Sequence, residues 1–292
     1  MGLPITRASC VDARVGKGWA KGLTAATDPR VARAAAAHRG LVYERRKPFE
    51  ECNWRLAGRT TLPLEWSDSM AYIVGLTATD GCLITGRRVV NFKSEDRQLV
   101  ETYLRLLGRL NRIRIVKTRT GGVVYVTQFH DSRLYRWFLS VGLTPRKSLT
   151  LGAIPVPDQF LLPLARGLMD GDGSIANFVH APTRKTYPDY RYERLGVSFL
   201  SASRPHIDWL RERLRPISDT RGYVETSQRE GRHDMYKLKY GKAATIRLLT
   251  AFYPNPDVPR LIRKWEIWDD YIRRTLSADG GSRTLMSFDT CS

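Results

Sequence analysis

The chain has 292 residues, 42% of them apolar, enough for one large core or two to three smaller ones and too apolar for disorder throughout. Its 48 Lys and Arg against 29 Asp and Glu leave a net charge of +19, the balance of a protein that meets phosphate, on a nucleic acid or another anionic surface. No run reaches the roughly 18 to 20 uninterrupted apolar residues of a membrane span, and the first residues lack the apolar core of a secretion signal, so a cytoplasmic protein with no membrane partner is expected.

Residues 1–66 read as a basic N-terminal appendage. Thr27 or Asp28 can cap a helix whose first position is Pro29 and whose body is the Ala-rich run from Val31 to His38. Lys17, Lys21, Arg30, Arg33, Arg39, Arg45, Arg46 and Lys47 surround it, with too few large apolar residues for a core of its own. Cys10, Cys52, Cys82 and Cys291 lie far apart with no C-x-x-C pair, which indicates neither a zinc site nor a disulfide framework.

From Ser67 on the sequence repeats itself. Tyr72-Ile-Val-Gly-Leu-Thr-Ala-Thr-Asp-Gly-Cys-Leu83 corresponds to Leu164-Ala-Arg-Gly-Leu-Met-Asp-Gly-Asp-Gly-Ser-Ile175, placing Gly75, Asp80 and Gly81 on Gly167, Asp172 and Gly173. Each copy opens with a helix, 68–80 and 159–172, that stops at an Asp-Gly step where glycine offers a left-handed exit. In the first copy, β-rich runs at 82–93, 111–118 and 123–130 surround an amphipathic helix at 94–109 carrying Leu99, Val100, Tyr103, Leu104 and Leu107, and a second helix follows at 132–142. The second copy has strands near 174–180, 190–201, 221–229 and 233–241, helices near 203–214 and 242–253, and a last helix at 258–275. The expected fold is α+β, two tandem αββαββα repeats at 67–155 and 156–276 with pseudo-twofold symmetry and antiparallel sheets, followed by a flexible tail at 277–292.

The paired segments ending at Asp80-Gly81 and Asp172-Gly173 resemble the two motifs of the LAGLIDADG homing endonucleases in their single-chain form, over about residues 67–275. Small residues at Gly75, Ala78, Gly167 and Gly171 would let the two motif helices approach closely. Their C-termini would then bring Asp80 and Asp172 together with the carbonyls of Thr79 and Gly171, hard oxygen donors suited to Mg²⁺, in two or three ions. An acid at the negative end of a helix is otherwise disfavoured. Asp170 stands at the earlier acidic position of the family motif, where the first copy has Ala78, and is read as structural. The resemblance also implies a basic residue near the scissile phosphate, matched by Lys147 and Lys264, with Lys93 and Lys242 as the next candidates.

On the strands, Arg87, Arg88, Asn91, Arg112, Arg114 and Gln128 in the first copy and Arg191, Arg194, Lys237 and Lys239 in the second are the candidates for a saddle laid on double-stranded DNA. Tyr236, Leu238 and Tyr240 would face the core, turning Lys237 and Lys239 to the other side. The segment Gly18 to Arg33 is similar to a short basic module fused to some bacterial and phage nucleases, an accessory DNA-binding element. The resemblance implies a monomeric endonuclease with no obligate protein partner, cutting a long asymmetric target to short 3′ overhangs. A non-cleaving binder on the same scaffold, an RNA maturase or a transcription regulator, stays open. Retention of both metal acids favours cleavage, although maturases keep them too.

Overall fold

The computed structural model describes residues 23–37, 59–118, 120–180, 192–228, 230–231 and 233–278, and divides into two compact units, Met1–Cys52 and Asn53–Ser292. In the first unit, α1 (Pro29–Ala37) begins where the sequence predicts. Asp28 precedes it and accepts the Arg30 backbone N–H at 2.7 Å, and Pro29 fills the first helical position, where a missing N–H costs nothing.

The second unit carries α2 (Asp68–Thr79), β1 (Gly81–Ile84), β2 (Val89–Ser94), α3 (Arg97–Leu106), β3 (Arg114–Lys117), β4 (Val123–His130) and α4 (Ser132–Ser140). It then repeats the order with α5 (Leu161–Asp172), β5 (Ser174–His180), β6 (Tyr192–Ser201), α6 (Arg204–Ser218), β7 (Tyr223–Ser227), β8 (Met235–Tyr240) and α7 (Lys242–Phe252), and adds α8 (Ile262–Ala278). The fold is therefore α+β with the αββαββα order twice. Each half holds a four-stranded antiparallel sheet, in the orders β1-β2-β4-β3 and β5-β6-β8-β7.

Several boundaries differ from the sequence expectation, three of them for reasons visible in the packing. The run 82–93 is a hairpin, turned at Gly86 (φ 75°) and Arg88 (φ 48°). Helix α3 is shorter than 94–109, because Ser94 still pairs with Tyr125 in the sheet and Gly108 (φ 65°) closes the far end. Helix α8 starts at Ile262 rather than 258, since Pro259 restrains Val258 away from helical geometry and the Leu261 N–H is taken by Asp170.

The core lies between the two sheets and the helices. Nine consecutive residues of α2, Met70 to Ala78, are buried, as are Pro163 to Asp170 of α5. A helix apolar on nearly all sides belongs inside, and these two, with Arg166 and Asp170 the buried charged residues of α5, pack on each other at the centre of one continuous core. Alternation sends Val90, Phe92 and Phe129, and in the other half Val197, Phe199, Leu238 and Tyr240, onto the inner sheet faces. Phe92 stacks on Tyr103 with ring centroids 4.1 Å apart.

Residues 59–66, grouped by composition with the N-terminal appendage, pack on the first repeat. The Thr61 N–H donates to the Leu107 carbonyl, and Leu62, Leu64 and Trp66 lie against the core. The Thr60 hydroxyl donates to Asp131 at 2.8 Å, and Asp131 also caps α4 and pairs with the buried Arg109 at 2.9 Å.

Candidate functional site

The site is built from the two central helices. A Cβ placed on Gly75 would stand 2.3 Å from the Leu164 carbonyl oxygen, one on Gly167 2.4 Å from that of Tyr72, and one on Gly171 2.0 Å from the Thr79 hydroxyl. Only glycine allows backbones to meet this closely. Ala78 lies in the same buried stretch. Gly81 and Gly173 depart from the expected left-handed exits: neither has positive φ, and Gly173 is extended (φ −83°, ψ 180°). They are glycine for space, since a Cβ would come within 2.6 Å of Thr77 and of Met169 respectively.

This crossing ends with Asp80 and Asp172 at neighbouring helix C-termini, close enough that each affects the electrostatics of the site. Burial, then the Asp172 charge, push the Asp80 carboxyl up to about 7, against the charges of Lys264, Lys93 and Lys147. Burial likewise raises Asp172, offset by the same three lysines. Two acids whose ionised forms repel in a partly desolvated place are a set that a divalent cation would relieve. Among the described residues no cluster of three or more His, Cys, Asp or Glu is assembled, so an ion here would need water or a substrate oxygen to complete its shell, as Mg²⁺ accepts.

Lys147 and Lys264 are buried, and their ammonium groups turn into the helix ends. Lys264 Nζ donates to the carbonyls of Met169 (2.7 Å), Asp170 (2.7 Å), Gly171 (3.1 Å) and Gly173 (2.8 Å), and Lys147 Nζ donates to that of Gly81. Lys264 occupies carbonyls that a helix C-terminus leaves open, and Lys147 takes that of the first residue of β1, just past the end of α2, an arrangement different from the phosphate contact the resemblance implies. The Gly171 carbonyl is thus shared with Lys264, and the Thr79 hydroxyl is bonded back to Leu76 at 2.9 Å. Burial lowers both lysines, Lys264 to about 8.

Of the two reserve candidates, Lys242 is turned away to Glu193 at 3.6 Å and the Tyr271 ring. Lys93 is exposed on β2, and its backbone N–H donates to the Asp80 carbonyl at 3.3 Å. Asp170 is buried, accepting the Tyr72 hydroxyl at 2.7 Å and the Leu261 N–H at 2.9 Å, so it ties α2 and α5 to the start of α8.

On the outer sheet faces, Asn91 and Gln128 are cross-strand partners, amide nitrogen to amide oxygen 3.3 Å, and Arg114 begins the edge strand β3 opposite Val126. Arg87 and Arg88 project from the β1–β2 turn, and Arg112 lies ahead of β3 rather than in it. In the second sheet Arg194 sits on β6 opposite Phe178, and Lys237 and Lys239 alternate with the buried Leu238 and Tyr240, Lys239 being paired with Glu225. Arg191 lies outside the described residues.

Sequence reasoning missed Arg166, buried in α5 with its guanidinium on the Phe252 carbonyl at 2.6 Å and over the Tyr72 ring. The signal was there, since an arginine inside an apolar helix needs a buried acceptor. Arg109 escaped notice because its partner Asp131 comes from another element.

Residues 67–141 match the LAGLIDADG-like domain family. Among solved structures, the chain is similar to the meganuclease I-SmaMI bound to uncleaveable DNA, at 13% identity over 74% of this chain and 90% of that one, TM-score 0.49. It is also similar to I-AabMI bound to uncleaved DNA (12% identity, 71% and 91% covered, TM-score 0.46) and to the N-terminal LAGLIDADG domain of DUF199/WhiA (14%, 78% and 99%, TM-score 0.41). No curated protein matches.

Proposed function

We propose that this chain, whose residues 67–141 belong to the LAGLIDADG-like domain family and whose second half repeats their element order, is a site-specific double-strand DNA endonuclease. The observation that carries the reading is the pairing of Asp80 and Asp172 at adjoining helix ends, between two sheets whose outer faces carry Asn91, Gln128, Arg114, Arg194, Lys237 and Lys239. A carboxylate desolvated at the negative end of a helix is unfavourable for the fold alone, and here it occurs in both repeats.

Asp80 and Asp172, with the carbonyls of Thr79 and Gly171, would hold Mg²⁺, two or three ions in all. The metal supplies positive charge for the attacking and leaving oxygens of phosphodiester hydrolysis. The chain's own residues do the rest. The glycine crossing holds the two acids together, Lys147 and Lys264 neutralise the helix ends beside them, and the basic outer faces bind the duplex in the register that presents its two backbones to the acids. Two repeats in one chain suit a long asymmetric target, cut to short 3′ overhangs by a monomer.

The test is a cleavage selection on a randomised double-stranded DNA library with Mg²⁺, run beside the Asp80→Asn, Asp172→Asn double variant. The expected result is one long site cut by the original protein, and bound but left intact by the variant. If neither protein cuts and both bind DNA or a structured RNA tightly, the endonuclease reading is lost and a maturase or regulator takes its place.

A further inference from the structure

The two repeats carry different chemistry at one equivalent place on their outer sheet faces. Val90 stands opposite Phe129 as Val197 stands opposite Tyr240. The Ser94 hydroxyl accepts the Asp96 N–H at 3.1 Å, and the Ser201 hydroxyl accepts the Ser203 N–H at 3.1 Å. With the register fixed at both ends, the cross-strand row Lys93–Val126–Arg114 corresponds to Leu200–Lys237–Glu225. Two cations flank a buried valine in the first sheet, whereas the second has a leucine, a cation and a glutamate that is paired with Lys239. One row further on, Met235 stands opposite Ser227. Leu200, Ala202 and Met235 line an 880 Å³ groove together with Lys237 and with Arg146 from the segment after α4.

Arg146 is held differently from its equivalent. Arg146-Lys147 matches Arg263-Lys264 in the repeat, and both lysines donate to carbonyls at or just past the end of a central helix. Arg263 closes on Asp96 with two hydrogen bonds of 2.7 Å. The residue equivalent to Asp96 in the other half is Ser203, whose hydroxyl donates to the Leu151 carbonyl instead. Arg146 is exposed and makes no hydrogen bond or ion pair among the described residues. Its φ of 59° is a left-handed backbone, disfavoured for a residue with a side chain.

We propose that this groove reads a thymine in the half-site bound by the second repeat, with the 5-methyl group seated on Leu200 and Met235 and Arg146 on a backbone phosphate flanking that base. This deepens the endonuclease reading and rests on it. The thymine methyl is the one apolar group that a base pair presents in the major groove, and an apolar floor inside a basic face selects it. Purine and cytosine edges present donors and acceptors there, which Leu200 and Met235 would desolvate without replacing their partners. The equivalent row of the first sheet offers the donors of Lys93 and Arg114 and no exposed apolar side chain, so the two half-sites differ at mirrored positions.

The experiment measures binding to the selected duplex by gel shift, with Mg²⁺ withheld so that nothing is cut. Each thymine is replaced in turn by deoxyuridine, which removes the methyl group alone. One or two replacements within one half-site should weaken binding about fourfold each, the worth of one buried methyl group. The Leu200→Ser, Met235→Ser double variant should become indifferent to the same replacements. Two duplexes are compared on one protein, so a general loss of affinity or stability leaves that ratio unaffected. Arg146→Gln should weaken both duplexes alike and make the slope of log affinity against log salt shallower by about 1. Indifference of the original protein to every replacement, a penalty that the double variant keeps in full, or an unchanged salt slope in Arg146→Gln overturns the proposal and leaves the endonuclease reading standing. Failure of the original protein to bind or cut any duplex removes both.

Discussion

An ammonium group taken out of water must replace its hydration with acceptors, and Lys264 does so with four carbonyls at the end of α5. Lys264→Met keeps much of the stem and strands those carbonyls, so unfolding in urea should show a loss of about 3 kcal/mol. An unchanged midpoint would mean the cap contributes nothing to the fold. His206 gives a pH-dependent counterpart. It is stacked on Trp209, its Nδ1 is 2.9 Å from the Gly152 carbonyl, and burial holds its pKa below the ordinary value although that hydrogen bond opposes the shift. The unfolded chain takes up a proton near pH 6.5 that the folded chain resists, so this contribution to stability is complete above about pH 6.5 and is lost as pH falls toward the folded value. The urea midpoint should drop between pH 7.5 and 5.5, and less so in His206→Gln. A parallel drop in both would assign the acid sensitivity elsewhere.

The crossing of α2 and α5 depends on backbone contact, and its glycines are the places where one methyl group matters most. Gly75→Ala would drive a Cβ against the Leu164 carbonyl, and thermal or urea unfolding should register a loss of about 3 kcal/mol. Gly152→Ala, whose Cβ would meet nothing within 4 Å, should stay within about 1 kcal/mol of the parent. The repeat and its small residues made this helix pair legible in the sequence. The reason for Gly81 and Gly173 was not, because an Asp-Gly step after a helix has the same local signature whether glycine serves φ or serves space. Nor was the anchoring of residues 59–66, since Thr60 finds Asp131 and Arg109 only once α3 and α4 are packed.

For the protein as a whole, the net charge of +19 draws it to a polyanion, and the number of phosphates it neutralises sets how binding responds to salt. If six to ten phosphates are contacted, affinity for the selected duplex should fall by about 10³ to 10⁵ between 50 and 200 mM salt. A chain lacking residues 1–58, which carry many of the arginines and lysines, should give a shallower slope of log affinity against log salt. Identical slopes would place those residues off the DNA. Among the described residues no helix is long and apolar enough to cross a membrane.

Periodicity and repetition are properties of neighbouring residues, and so the two αββαββα units, the inner and outer strand faces and the Asp80–Asp172 pair could all be read along the chain. The fate of the cations could not. Lys264 meets its carbonyls across 91 to 95 residues, and Lys147 meets Gly81 across 66. Whether a lysine is consumed by a helix end or left in solvent follows from desolvation at contacts that exist only after the halves have packed. That packing buries Lys147 and Lys264 and leaves Lys93 exposed on its strand.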